Sequence, residues 1–272
     1  MNALRTHHLP APAPGSAALV TGASSGIGVE LARALARRGH NVILVARRLA
    51  RLEQLAADLT ATYGVRAEPL AADIADPDAR ADLLARLDAL GLDVEVLVNN
   101  AGYGTGGAFH TLDLERELGM IRLNNEALVA LCGAFVPRMV ARGRGAVLNV
   151  ASTISFQPVM HEATYSATKA FTLTFTEALH GELHGTGVSV TALCPGPVRT
   201  EFMNDPGVSS EASKLPKAMW VEPHAVAERG VRALERGRRL AVPGTLNRIG
   251  AFWGRHVNRA LLLRVNRAVA PH

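Results

Sequence analysis

The chain has 272 residues, of which 48% are hydrophobic, 19% charged and 4% aromatic, and its net charge is +5. That length and balance fit one large α/β domain with a sizeable core, and they exclude a disordered chain and a collagen-like repeat. No run of about 18 apolar residues is present, so no membrane-spanning helix is expected.

Residues 1–16 hold Pro10, Pro12 and Pro14 and no apolar period, and are expected to form a flexible leader. Arg5 is not followed by the apolar core of a secretory signal. Residues 17–20 read as a short buried strand. Ile27, Leu31 and Leu35 then mark a helix, with Gly39 at its C-cap. Residues 41–46 are a second strand, and Leu52, Leu55 and Leu59 a second helix. Residues 67–72 are a weaker strand. Asp76 and Pro77 open a third helix as N-cap and first helical residue, with Leu83, Leu84, Leu87 and Leu90 on its buried face. Residues 94–98 form the fourth strand, 114–141 one long helix, 146–150 the fifth strand, 162–183 another long helix and 188–193 the sixth strand. A helix from Glu222-Pro223 to Arg236 precedes a seventh strand at 240–242. Apolar strands alternating with helices predict a single α/β domain, a parallel sheet covered on both faces. Its expected bounds are residues 17–243, followed by a basic helical extension over 244–272. Cys132 and Cys194 are too few and too far apart for a disulfide framework or a zinc site, and read as reduced thiols in a cytoplasmic protein with no metal.

The first strand runs into Thr21-Gly22-Ala23-Ser24-Ser25-Gly26-Ile27-Gly28, and a helix follows. Glycines here permit positive φ and let the backbone approach a pyrophosphate, which then meets free amides at the helix N-terminus. An ordinary tight βα turn can look the same. The order strand, loop, helix, strand is what favours a dinucleotide. The end of the second strand chooses between cofactors. An acid there would bind a ribose 2′-hydroxyl, but this chain has Ala46, Arg47 and Arg48, and no acid before Glu53. A guanidinium suits a 2′-phosphate, and one charge-assisted bond contributes about 1.5–3 kcal/mol, roughly tenfold to a hundredfold in affinity. NADP(H) is therefore expected over NAD(H), with solvated first-turn arginines as the alternative.

Tyr165 and Lys169 stand four residues apart, one helical turn, so both face the same way. A phenol titrates near 10, and lowering that by some three units would take about 4 kcal/mol. Alone, such a pair is usually a surface contact. Ser152 follows the fifth strand at the sheet edge that borders the ligand crevice, with Ser155 as its nearest competitor. Asn99-Asn100-Ala101-Gly102 ends the fourth strand.

Taken together and in order, these motifs resemble the short-chain dehydrogenase/reductase family over residues 17–242. The resemblance includes Asp73, Asn124 and the run Pro195-Gly196-Pro197-Val198-Arg199-Thr200. It implies a Rossmann-like, doubly wound parallel sheet of about seven strands, and an oxidoreductase acting between CH–OH and C=O groups. It also implies roles. Tyr165 would be the general acid or base. Lys169 would bind the nicotinamide ribose and lower the Tyr165 pKa. Ser152 would polarise the substrate oxygen, and Asn124 would hold a water in a proton relay. Gly22, Ser24, Ser25, Gly26, Ile27 and Gly28 would hold the pyrophosphate. Asp73 and Ile74 would meet the adenine, and Asn100, Ala101 and Gly102 the adenosine side. Pro195, Gly196, Val198 and Thr200 would border the nicotinamide. Family members that prefer NADP(H) carry a basic residue where Arg47 stands; a second often precedes the middle loop glycine, where this chain has Ser25.

A substrate flap is expected over 201–221. Its wall residues Phe202, Met203, Leu215, Met219 and Trp220, with Tyr103, Ile154, Phe156, Val159, Met160 and His161, are mostly apolar and predict an apolar carbonyl or alcohol substrate. The alternative is that they only pack the flap. The family implies a homodimer or homotetramer through the helices at 114–141 and 162–183. From Arg229 onward there are ten arginines and one acid, a net +9 against −4 for the rest. Packing on the protein ranks first for this tail, contact with an anionic membrane surface second, and nucleic acid is not expected because no stacking platform accompanies the charge. Two other readings stay open: an NAD-dependent alcohol dehydrogenase of the same fold, and a non-catalytic nucleotide sensor.

Overall fold

The computed structural model describes residues 9–204, 208, 212–213 and 215–269. Residues 1–8 of the expected leader and part of the flap lie outside the described residues. Seven strands run as β1 Ser16–Thr21, β2 Asn41–Ala46, β3 Ala67–Ala71, β4 Asp93–Asn99, β5 Gly145–Val150, β6 Val188–Leu193 and β7 Leu240–Ala241. All pair in parallel, in the order β3-β2-β1-β4-β5-β6-β7. The order reverses between β1 and β4, and a ligand crevice opens beyond the C-terminal ends of strands at such a point.

Alternation along each strand sends neighbours to opposite layers. Ala18, Val20, Val42 and Leu44 face a layer built from α1 Gly26–Ala36, α2 Leu49–Tyr63 and α7 Pro223–Glu235. Ala17, Leu19, Ile43 and Val45 face the other layer, where α3 Pro77–Ala89, α5 Ala127–Arg142 and α6 Ala163–Glu182 pack. Leu19, Leu44 and Leu97 are fully buried; truncating one such leucine to alanine costs about 2–5 kcal/mol. The third helix begins as its sequence demands, with Asp76 Oδ1 accepting from the Ala79 amide at 2.8 Å and Pro77 in the first turn.

Three local features depart from expectation. The expected helix at 114–141 is α4 Leu114–Ile121, a π-helical turn at Arg122–Glu126, then α5. The first helix caps at Arg37, and Gly39 sits two residues beyond with φ +87°. β1 takes Ser16 from the leader, because its hydroxyl and carbonyl are tied to Ala13 and Asn41. The C-terminal segment forms two helices, α8 Thr245–His256 and α9 Arg259–Val269. Among the described residues no helix is long and apolar enough to cross a membrane.

Candidate active site

The glycine loop leaves β1 at its C-terminal end. Gly22 has φ +66°, and a Cβ there would lie 2.8 Å from the Asn100 side-chain nitrogen. A Cβ on Gly28 would stand 2.2 Å from the Gly22 carbonyl oxygen, so helix and loop approach closer than any side chain allows. The Asn100 amide donates to the carbonyls of Thr21 at 2.9 Å and Gly22 at 3.3 Å. Thr21 Oγ1 in turn accepts from the Asn100 and Ala101 amides. The Asn100 side chain therefore braces the loop. Ser24, Ser25 and Ile27 lie on the loop and first turn, and none of them is fully buried.

The connection from β3 to α3 is held from below. Ile74 is buried, and Asp73 accepts from the Ala75 amide at 3.1 Å. Arg80, itself buried, donates to the carbonyls of Ile74 at 2.8 Å and Ala75 at 3.2 Å and pairs with Glu126 of the π turn. No spacing in the sequence sets Arg80 apart from the exposed arginines; its burial is a product of the fold. The two arginines after β2 behave differently. The Arg47 side chain is 78% exposed, with its guanidinium 4.0 Å from Asp73. Arg48 is engaged with Ser24 Oγ at 3.0 Å and Glu201 at 2.8 Å, and Arg51 joins Glu201 at 2.6 Å.

Tyr165 and Lys169 both point inward from α6. Lys169 Nζ donates to the Val150 carbonyl at 2.9 Å and lies 5.9 Å from the centre of the Tyr165 ring. Burial brings the Lys169 ammonium down to about 8. Burial holds the Tyr165 phenol above its usual value; the Glu162 carboxylate pushes the same way, and the Ser152 hydroxyl opposes it. Desolvation is the largest of the three influences on the phenol. Ser152 caps a short turn, accepting from the Ile154 amide at 3.3 Å, while Ser155 accepts from the Ser152 amide at 3.3 Å. Ser155 is therefore tied into the turn, and Ser152 is the serine beside the phenol.

The π turn explains Asn124. One extra residue per turn rotates both Asn124 and Asn125 inward, and both are buried. Asn124 Nδ2 donates to Tyr103 O at 3.0 Å and Thr168 Oγ1 at 3.1 Å, and its Oδ1 accepts from the Tyr103 amide at 3.2 Å. A Cβ on Gly102 would lie 2.8 Å from Asn124 Oδ1 and 3.5 Å from Lys169 Nζ. A polar ladder continues behind them, from Asn99 to Asn149 at 2.9 Å and on to Thr176 at 3.0 Å. Burial raises the Cys132 and Cys194 thiols to about 12, so both are neutral and unreactive.

In the segment after β6, Pro195 O accepts from the Thr153 amide at 2.9 Å, and Val198 is buried. Thr200 lies against Gly26, 3.0 Å from where a Cβ would stand. Gly196 is pressed by Asn247 of α8, whose amide donates to the carbonyls of Met219 at 2.9 Å and Pro243 at 3.0 Å. Asn247, like Arg80, carries no signal in the sequence.

The expected substrate wall is divided. The Phe202 ring centre is 5.7 Å from that of Tyr165, and Gly104 fits beneath both rings. Met203, Leu215 and Trp220 border an open hollow of about 530 Å³ on the flap, with Arg199 stacked 5.7 Å over Trp220. Tyr103 donates its hydroxyl to Arg116 O at 2.6 Å. Ile154, Met160 and His161 are half-buried, and His161 holds φ 64° while its carbonyl accepts from Gly107 at 2.7 Å. Phe156 is buried among Leu173, Cys194 and Ala251, with its Cβ packed against α8 near Gly254.

A sequence profile described as short chain dehydrogenase matches residues 16–209. The chain belongs to the short-chain dehydrogenase family. An uncharacterized oxidoreductase of Myxococcus xanthus is 37% identical over 239 residues, 85% of this chain and 91% of that protein. The NADP-dependent 3-hydroxy acid dehydrogenase YdfG of Salmonella typhi is 39% identical over 186 residues, 68% of this chain and 73% of its own. Among solved structures, a short-chain dehydrogenase from Sphingobium yanoikuyae in complex with NADPH superposes with a TM-score of 0.78 at 35% identity, covering 94% of this chain and 98% of that one. This short-chain dehydrogenase is thus an oxidoreductase on a Rossmann-like sheet.

Proposed function

We propose that this short-chain dehydrogenase interconverts a ketone or aldehyde and an alcohol on an apolar substrate, with NADP(H) preferred over NAD(H). The observation that carries the reading is the cluster at the strand ends. Tyr165 and Lys169 share one face of α6, Ser152 stands beside the phenol, and the π turn brings in Asn124. The glycine loop fits a dinucleotide, since Gly22 and Gly28 leave no room for side chains and the α1 amides face the crevice. When bound, the reduced nicotinamide supplies the hydride for carbonyl reduction, and the oxidised form takes it up in the reverse direction.

The chain's own residues do the rest. Tyr165 gives its phenolic proton to the carbonyl oxygen, and a phenol held protonated by burial suits a donor. Ser152 hydrogen-bonds the same oxygen and fixes its orientation. Lys169 holds the nicotinamide ribose, and Asn124 locks the Tyr103 loop over it. Gly22, Ser24, Ser25, Gly26, Ile27 and Gly28 cradle the pyrophosphate. Asp73, Ile74, Ala101 and Gly102 border the adenosine, and Pro195, Gly196, Val198 and Thr200 the nicotinamide. Arg47, exposed beside Asp73, takes the 2′-phosphate. NADPH in the Sphingobium structure and the NADP dependence of the Salmonella relative support that choice. Phe202, Met203 and Trp220 favour an apolar substrate end.

Exposed Leu114, Leu118 and Ile121 on α4, Val129 on α5 and Phe171 on α6 fit a homo-oligomer through these helices. The test of function is NADPH against NADH oxidation by purified protein, with a panel of apolar ketones, aldehydes and ketoacyl thioesters. Turnover with NADPH is expected; tight NADPH binding with no turnover across the panel would favour the sensor reading.

A further inference from the structure

The C-terminal helices carry a second surface. α8 turns Asn247, Ala251 and Gly254 inward, one residue per turn, and leaves the rest of its circumference outside. On that outer side Leu246, Ile249, Phe252 and Trp253 are 44–60% exposed, and Leu261 on α9 is exposed with them. Leu246, Ile249 and Trp253 follow i, i+3, i+7 spacing, so they form one stripe. Exposed Phe252 lies between this stripe and a cleft of about 350 Å³ that α7 and α8 line together. Its apolar floor includes Leu240 and Val242, and its rim is arginine: Arg229, Arg232, Arg236, Arg238, Arg248 and Arg255. Arg232 pairs with Glu228 at 3.5 Å and Arg255 with Glu177 at 3.8 Å. Arg229, Arg236, Arg238 and Arg248 have no ion-pair partner among the described residues.

We propose that this face docks on an anionic lipid surface, with the α8 stripe entering the acyl boundary and the arginine rim meeting headgroup phosphates. Two observations choose this occupant. The first is charge complementarity: a rim of guanidinia with few internal acids attracts a polyanion. A second copy of the chain is disfavoured by the same charge, since a two-fold contact centred here would set the rim against itself. The second is the exposed apolar stripe, which a soluble anion would leave in water. An interfacial helix combines these two features: an apolar face with an aromatic residue, flanked by arginines. The inference is independent of the proposed reaction, because none of these residues belongs to the catalytic cluster.

The test is sedimentation of the full chain with vesicles of equimolar phosphatidylglycerol and phosphatidylcholine, against phosphatidylcholine alone. The expected result is binding to the anionic vesicles only, weakened as salt rises from about 0.1 M to about 0.5 M. Trp253 fluorescence should shift to the blue on binding, and the shift should vanish in Trp253→Ser. Arg236→Glu with Arg248→Glu should lower vesicle partitioning at least tenfold while thermal unfolding stays unchanged. The proposal is overturned by absence of binding, by equal binding to both vesicle types, or by binding that survives the double charge reversal. It is also overturned if duplex DNA strips the protein from vesicles and binds it more tightly, or if Trp253→Ser converts a dimer to a monomer and abolishes nothing else.

Discussion

The N-terminal end of α6 and the cleft between α7 and α8 both gather polar groups, yet they handle them in opposite ways. Around Tyr165 and Lys169 the polar groups are buried and committed: Lys169 to Val150, Asn124 to Tyr103 and Thr168, Asn99 to Asn149. On α7 and α8 the arginines are exposed, and four of those on the cleft rim have no ion-pair partner among the described residues. Buried and satisfied polar groups hold a fixed geometry, which chemistry on a small molecule requires. Exposed, like-charged groups hold no geometry of their own, and they gain only from a partner of opposite sign. In the proposed reading, one region acts on what enters it and the other meets what lies outside.

The largest test of the first region removes a single atom. Tyr165→Phe should lower turnover by roughly 10²–10⁴-fold while NADPH affinity, read by fluorescence titration, stays within about twofold. Loss of both together would mean that the phenol holds the site's shape rather than passing a proton.

Lys169 gives a pH signature that no exposed arginine would show. Its folded value of about 8 lies below the ordinary 10.5, so the folded chain sheds this proton first. Stability therefore rises with pH between about 8 and 10.5, by up to about 3 kcal/mol. Lys169→Met should lack that rise in urea unfolding at each pH, and parallel curves for the two proteins would contradict the burial argument.

Arg47→Ala should narrow the preference for NADPH over NADH by roughly tenfold to a hundredfold in kcat/KM. Arg48→Ala should do less, because Arg48 is already held by Ser24 and Glu201. Equal effects would mean that both guanidinia reach the phosphate.

Asn125→Ala makes the smallest change. It removes one buried hydrogen bond to Thr168 O at 2.9 Å and should cost about 1–3 kcal/mol in denaturant unfolding, with catalysis falling less than in Tyr165→Phe. An unchanged midpoint would show that the π turn does not need its second asparagine.

The first region was also the more legible in the sequence. Glycines with positive φ, the Asp76-Pro77 start and the Tyr165–Lys169 spacing each have a local cause that one segment states by itself. What escaped was set by contacts between distant segments. The π turn needs Tyr103 and Thr168 as partners, and from residues 114–141 alone it reads as an unbroken helix. Phe156 looks like any apolar residue near the crevice until Ala251 and Leu173 claim it. Arg80 and Asn247 act on backbone carbonyls, which carry no sequence signature. The C-terminal charge was plain from composition, but its separation from an apolar stripe required the placement of α8 on the body.

The measurement that bears most directly on the account is isotopic. NADPH carrying deuterium at its transferable position is incubated with an apolar ketone that the wild-type protein reduces. The account predicts deuterium on the carbinol carbon of the product, and transfer slowed by at least a hundredfold in Tyr165→Phe. Product without deuterium, or transfer at the wild-type rate in Tyr165→Phe, would contradict it.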